Sequence, residues 1–342
     1  MLQLARAARG FTQEDAARTS GVTQALISKI ENGLSEPSAE VIEALSRGLD
    51  FPVDFFCYQN KIYGLPQYHY RKRAKLGVRV LQKIEADINI QRIHIERLMQ
   101  SFDGLKQNNL PTIDLDEKGW TPQSAAQYLR GHWMVPSGPV SNMTGLLEDA
   151  GVLVMQLDFG THLLDAMSFR IPGLPPLIFM NRNVPGDRYR FTLAHEVAHL
   201  ILHNAPMSDD DMEDQADKFA AEFLMPAVEI RPYLKYPSLG KLARVKTYWK
   251  VSIKALIYNA FQLKLITPSQ YRGLNVNYSK AGYSKGEPFP IEVEEPRLLP
   301  RMIDYHMREL GYSLADMAKL LFLEPHEVQR RYLGRPQLHV VK

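Results

Sequence analysis

Residues 190–203 read RFTLAHEVAHLILH, an apolar run broken by a His-Glu-x-x-His pattern at His195, Glu196 and His199. Phe191, Leu193, Val197, Ala198, Leu200 and Ile201 recur at helical spacing, so a buried helix is predicted. Residues four apart share one helix face, and both imidazoles can then reach a single metal ion. Glu196 projects beside them, where it can take a proton from a water held by that metal. A buried histidine pair without a metal would be a costly way to fill a core, because each ring brings polar nitrogens that need partners.

A third ligand is required, and the next segment is rich in acids: Asp209, Asp210, Asp211, Glu213, Asp214 and Asp217. Glu213 and Asp217 lie four apart on one face, beside a packed face of Ala216, Phe219, Ala220 and Phe223. With Glu213 as third ligand, a fourth position stays open for water. Asp217 then suits a hydrogen bond that orients a ligand imidazole. Asp209, Asp210 and Asp211 read as a solvated loop. His203 is a further turn along, and three ligands on one straight helix exceed the reach of one metal, so it reads as structural.

At 342 residues the chain is too long for one ordinary core, and two or three domains are expected. Its 41 basic and 38 acidic residues nearly cancel, so any nucleic-acid role has to come from a local face. Cys57 is the sole cysteine, which excludes an intramolecular disulfide and argues against zinc fingers and iron–sulfur centres. The opening MLQLARAARG holds no apolar run of signal-peptide length, and no stretch approaches a membrane span. A cytoplasmic setting without membrane association is expected.

The other informative segment is FTQEDAARTSGVTQALISKIENG at 11–33. Thr12 is a good N-cap with Asp15 three residues on, and Gly21 tolerates the left-handed backbone that ends a helix. Thr23 caps a second helix that Gly33 closes. Val22, Leu26, Ile27 and Ile30 form its apolar side, leaving Gln24, Ala25, Ser28 and Lys29 on the other. A plain helical hairpin would also satisfy this pattern. The joint occurrence of TQEDAA, the Gly-x-Thr-Gln turn and ISKIENG is more specific.

Five regions are read along the chain. Residues 1–60 are the helix-turn-helix unit, and 61–110 a basic joint leading into a long helix. Residues 111–235 form an α+β centre with a small sheet, with strands expected within 147–159, 165–171 and 175–181. Residues 236–275 form a small helical domain, and 276–342 a C-terminal helical region that begins with turn-rich NVNYSKAGYSKGEPFP. The joint carries Lys61, Arg71, Lys72, Arg73, Lys75, Arg79 and Lys83 with no acid between 61 and 83. It could touch DNA phosphates or simply be a solvated joint and helix start. A further basic stretch between 241 and 272 is open to the same two readings, contact or packing.

Residues 2–56 resemble the XRE/Cro-repressor family of helix-turn-helix domains. That resemblance implies operator DNA as a partner, with Gln13 holding a phosphate and Gln24, Ala25, Ser28 and Lys29 facing the groove. It also implies a homodimer, since such repressors read two half-sites. RFTLAHEVAHLILH followed by EDQADKFAAEFLMP resembles the ImmA/IrrE metallopeptidase family over about 140–230, more weakly to 275. The likeness implies a zincin-like domain with Zn2+ on His195, His199 and Glu213, and Glu196 as general base. Gln215 stands where that family often has a second Glu, which leaves Asp214 as the alternative ligand. The mechanism implied is that zinc acidifies water and polarises a peptide carbonyl while Glu196 shuttles the proton. Tyr189, Arg190 and Tyr278 are candidates for stabilising the oxyanion.

The mainly α chain with an α+β centre is therefore expected to be a DNA-binding regulator carrying a zinc endopeptidase-like domain. The family setting implies a stress, mobile-element or toxin–antitoxin circuit, with cleavage of a partner repressor or of the chain itself, and a toxin as a further partner. In the alternative, the peptidase fold is a non-cleaving sensor or dimerisation module on a repressor. Finally, YSLADMAKLLFLEPHEVQRRYLG (312–334) aligns without gaps to residues 11–33. Phe322 replaces Gly21, and Glu324 and Pro325 fall where a recognition helix should begin. An acid there opposes phosphate approach, and a protein-contact hairpin is the preferred reading.

Overall fold

The computed structural model describes residues 1–65, 76–105, 109–117, 119–203 and 208–334. Arg71, Lys72, Arg73 and Lys75 of the basic joint lie outside these residues. The N-terminal unit comprises α1 (Leu2–Ala8), α2 (Gln13–Ser20), α3 (Gln24–Glu31), α4 (Ala39–Leu49) and α5 (Val53–Cys57). Thr12 and Asp15 form a reciprocal capping box at the start of α2, and Thr23 caps α3 through the Leu26 amide. Gly21 ends α2 at φ 73, a conformation glycine adopts without steric cost. Ala16 and Ile27, both inaccessible to solvent, anchor the two helices in a core with Leu45, Leu49, Phe51 and Phe55.

The long helix α6 (Val78–Met99) serves two cores. Ala86, Ile90 and Ile93 form one stripe and pack into the N-terminal core. Ile84, Ile88, Ile95 and Leu98 form another, which packs against the sheet and the C-terminal helices. Apolar residues on both sides make α6 a buried spine rather than a surface helix. The described basic residues of the joint are engaged inside the chain. Lys61 lies over the Tyr63 ring, Arg79 bonds the Gly10 carbonyl and Asp15, and Lys83 pairs with Asp87.

After α7 (Pro122–His132) and α8 (Met143–Asp149) come β1 (Leu153–Leu157), β2 (Ala166–Phe169) and β3 (Leu177–Asn181). The sheet order is β1-β3-β2, with β1 parallel and β2 antiparallel to β3. Alternation along β3 sends Ile178 and Met180 to one core and Leu177 and Phe179 to the other, so both sheet faces are covered. The first face packs on α9 (Gly186–Leu202), which carries the His-Glu-x-x-His pattern, and beyond it α10 (Asp209–Leu224). Four more helices follow: α11 (Ala227–Leu234), α12 (Leu239–Trp249), α13 (Ile253–Gln262) and α14 (Pro268–Lys280). The turn-rich stretch expected from 275 therefore begins later, because α14 continues through NVNYSK.

Residues 286–297 then run without regular structure across the start of α9. Three carboxylates pin this strap. Glu287 binds Lys246 and the Ile253 and Lys254 amides; Glu294 binds Arg190 and the Thr144 amide; Glu148 accepts from the Arg297 and Leu298 amides. The strap comes so close to α9 that a Cβ on Gly186 would lie 2.1 Å from the Ile291 carbonyl oxygen. Gly186→Ala should therefore displace the strap and destabilise the protein by about 1–3 kcal/mol, the scale of overpacking, read as a lowered unfolding midpoint. An unchanged midpoint would mean the strap yields freely.

The chain closes with α15 (Leu298–Asp304), a π turn at Tyr305–Glu309, α16 (Leu314–Leu321), α17 (Pro325–Val328) and a second π turn. The gapless alignment to the N-terminal hairpin has a structural counterpart. Ser313 and Asp316 repeat the Thr12–Asp15 capping box, and Phe322 takes the left-handed φ (51) of Gly21. This second hairpin is turned inward. Phe322 packs on Tyr58 and under the Arg97 guanidinium, and buried Glu327 pairs with Arg9 and Arg331. Burial alone would raise the Glu327 carboxyl; Arg9 and Arg331 hold it below its ordinary value. No helix among the described residues is long and apolar enough to cross a membrane.

Candidate metal centre and DNA-reading face

Helix α9 is apolar enough to be buried almost throughout, which carries His195, Glu196 and His199 below the surface (6%, 1% and 2% exposed). One helical turn separates the two imidazoles, and their Nε2 atoms face each other at 3.0 Å. α10 packs against α9 through Ala216, Phe219 and Phe223, and that packing delivers Glu213. A Glu213 carboxylate oxygen lies 3.7 Å from His195 Nε2 and 3.5 Å from His199 Nε2. One donor atom from each of the three falls within 4.8 Å of the others. Donors about 2.0–2.1 Å from one ion at tetrahedral angles stand about 3.3 Å apart, so this set fits a small divalent ion.

The remaining imidazole nitrogens are tied so that the Nε2 lone pairs stay inward. Asp217 Oδ1 accepts from His195 Nδ1 at 2.9 Å. His199 Nδ1 meets His203 Nδ1 at 2.8 Å, and His203 Nε2 meets Gln215 Oε1 at 3.1 Å. An amide oxygen only accepts, so His203 donates to Gln215 from Nε2 and accepts from His199 at Nδ1. Burial lowers His203 to about 4, which keeps it neutral and able to accept. Burial also opposes charge on His195, but the Asp217 and Glu213 carboxylates outweigh it and raise the group to about 9. The site thus draws positive charge strongly, and a cation entering it would displace a proton.

Glu196 is held from the sheet. Ser168 Oγ on β2 donates to Glu196 Oε2 at 2.6 Å. A cleft of about 160 Å3 opens here, lined by Asp165, Ala166, Arg188, Thr192, His195, Glu196 and Asp217 among others. Asp214 is turned away and pairs with Lys218 on the surface. Tyr189, Arg190 and Tyr278 are absent from the lining of this cleft. Tyr189 is buried with its hydroxyl pushed up to about 12, Arg190 serves Glu294 and the Val140 carbonyl, and Tyr278 donates to Glu287. Each of these three oxyanion candidates is engaged in packing or in holding the strap. Ser168 and the His203–Gln215 relay escaped the sequence reading. The only available signal was a serine in an otherwise apolar strand and the unusual Gln215. His203→Ala should lower the affinity of this group for a divalent ion about 10–100-fold, the scale for residues that orient a metal-binding imidazole. Metal titration checks this, and unchanged affinity would make His203 mere packing.

On the N-terminal unit Gln24, Ala25 and Lys29 are exposed and Ser28 is half-buried. Gln13 is held between helices: its Nε2 donates to Glu31, and its Oε1 accepts from Gln24 Nε2, each at 2.8 Å. Arg6 in turn pairs with Glu31 at 2.6 Å. Among the described residues the Gln24 Oε1 and its second N–H take no further partner, an acceptor–donor pair of the kind that fits an adenine edge.

Comparison with known families gives two matches. Residues 147–261 match the model described as the IrrE N-terminal-like domain, of peptidase family M78. Residues 2–56 match the helix-turn-helix family model. No curated protein matches the chain. The chain is therefore a fusion of an XRE-type helix-turn-helix domain, of the DNA-binding regulator kind, with an IrrE/ImmA-like peptidase-family domain.

Proposed function

We propose that the chain is a cytoplasmic regulator that binds operator DNA as a homodimer and hydrolyses a peptide bond in a partner repressor. The observation that carries the catalytic half is the convergence of His195, His199 and Glu213 within 4.8 Å, with Glu196 beside His195 in the wall of the adjoining cleft. These residues would hold zinc, while Asp217 and His203 orient the two imidazoles. Bound zinc supplies Lewis acidity for the carbonyl and for water. Glu196, steadied by Ser168, takes the proton from the attacking water and delivers it to the departing amine. A stress, mobile-element or toxin–antitoxin circuit suits such a pairing of activities, with a toxin as a further partner. The division proposed is 1–60 for DNA, 61–110 as connecting helix, 111–235 for the peptidase fold, and 236–275 and 276–342 as helical additions. Zinc content and cleavage of candidate repressors, compared between the parent and Glu196→Gln, test the catalytic half.

The DNA half rests on the exposed face of α3 and on Gln24's unspent acceptor and donor. Gln24→Ala with Ser28→Ala is expected to weaken operator binding by about 1–3 kcal/mol per lost base contact and to relax preference there. Binding measured at fixed salt on single-base operator variants checks it. Unchanged affinity and preference would remove α3 as the reading element.

A further inference from the structure

The cleft beside His195 continues past Arg188, Phe191 and Asp217, which also line a second cavity of about 910 Å3. The larger cavity lies between α9, α13, α14 and the strap, and its walls include Met225, Tyr258, Tyr271, Tyr278, Tyr283 and Ile291. At about 160 Å3 the metal cleft is well below the size of a ligand pocket, whereas the second cavity is at the upper end of that range. The metal cleft can accept a reacting peptide unit; recognition needs the adjoining space. The charges in that space are also telling. Its lining carries four cations, Arg188, Lys246, Lys254 and Lys285, against three carboxylates, Asp187, Asp217 and Glu287. Asp187 and Glu287 are bridged by buried Lys246, while Lys254 and Lys285 stand exposed at the rim, so the open side of the cavity favours acidic over basic groups. Tyr258 is 45% exposed, an aromatic wall open to a partner.

We propose that this cavity is the recognition pocket of the cleft and takes an apolar, aromatic-bearing stretch of polypeptide, with acidic rather than basic flanks. The assignment rests on the peptidase reading, because it places the bond to be cut beside His195. Shared walls favour a polypeptide over a free small molecule: a chain lying in the metal cleft must continue past Arg188, Phe191 and Asp217 into this space.

The zinc-loaded, full-length Glu196→Gln chain is irradiated with a random peptide library carrying a photoreactive benzophenone side chain, and cross-links are mapped by mass spectrometry. Cross-links are expected on the segments of Met225, Tyr258 and Tyr271, displaced by Phe- and Tyr-rich acidic peptides but not by Lys- and Arg-rich ones. Ala255→Trp, which fills the cavity from α13, should cut capture by at least about tenfold at unchanged zinc content. Tyr258→Ala, a truncation at the exposed wall, gives a second test with a smaller loss should the tryptophan perturb folding. Cross-links elsewhere, or capture unaffected by both substitutions, overturn the assignment. Capture that persists while the parent cleaves nothing sinks the peptidase reading alone, and cleavage without capture in the cavity sinks the pocket alone.

Discussion

Glu196→Gln is expected to bind zinc with the parent's stoichiometry and to lose cleavage by about 10²–10⁴-fold, the usual share of a general base. The substitution keeps side-chain length and an oxygen that Ser168 Oγ can still reach, so the hydrogen bond from β2 survives. Glu196 is 1% exposed, and an amide there adds no charge to the core. What disappears is the capacity to hold a proton between water and the leaving amine. The loss should fall on kcat and kcat/KM together, since the interaction is made in the transition state. Equal cleavage by both forms would show that Glu196 is not the base. Zinc bound equally by two inert forms would instead favour the sensor reading.

The second large effect lies under the strap. Lys246→Met should destabilise the protein by about 3–5 kcal/mol, the cost of removing one partner from a buried ion pair. Lys246 is 1% exposed and bridges Asp187, on the first turn of α9, to Glu287 of the strap. Burial disfavours its charge, but the two carboxylates outweigh that and raise the ammonium group above its ordinary value. Methionine matches the volume and leaves two buried carboxylates without a cation. Against a total stability of about 5–15 kcal/mol this is a large fraction. Adding Asp187→Asn and Glu287→Gln should restore part of it, because a neutral buried cluster costs less than an unpaired charged one. A loss below about 1 kcal/mol, the range of exposed pairs, would mean that the carboxylates stay hydrated.

These two predictions differ in how visible their residues were. The spacing of His195, His199, Glu213 and Asp217 on two helices could be read directly, because a 3.6-residue period decides which side chains share a face. The three strands lay within runs of Val, Leu, Ile, Met and Phe, and the N-terminal hairpin announced itself through caps and turn glycines. Ser168 and Gln215 were not legible, since each acts on a partner supplied by a different element. The start of the strap, GEPFP, was read as part of a turn-rich joiner for a similar reason. GEPFPIEVEEPR looks solvated as a string, yet Glu287 and Glu294 find Lys246 and Arg190 some forty and one hundred residues earlier. For α6 the stripe of Ile84, Ile88, Ile95 and Leu98 was visible, whereas Ala86, Ile90 and Ile93 became a second face only once another core was there to receive them.

That two-sided helix bears on how such a regulator could be silenced. Arg9 with Glu327, Phe322 against Phe55 and Tyr58, and the Ala86–Ile90–Ile93 stripe together hold the N-terminal core onto the body of the protein. A molecule nicked between Cys57 and Val78 would remain one particle, its severed halves clasped through these contacts. Severing that connection alone would therefore leave the N-terminal unit seated on the body of the protein.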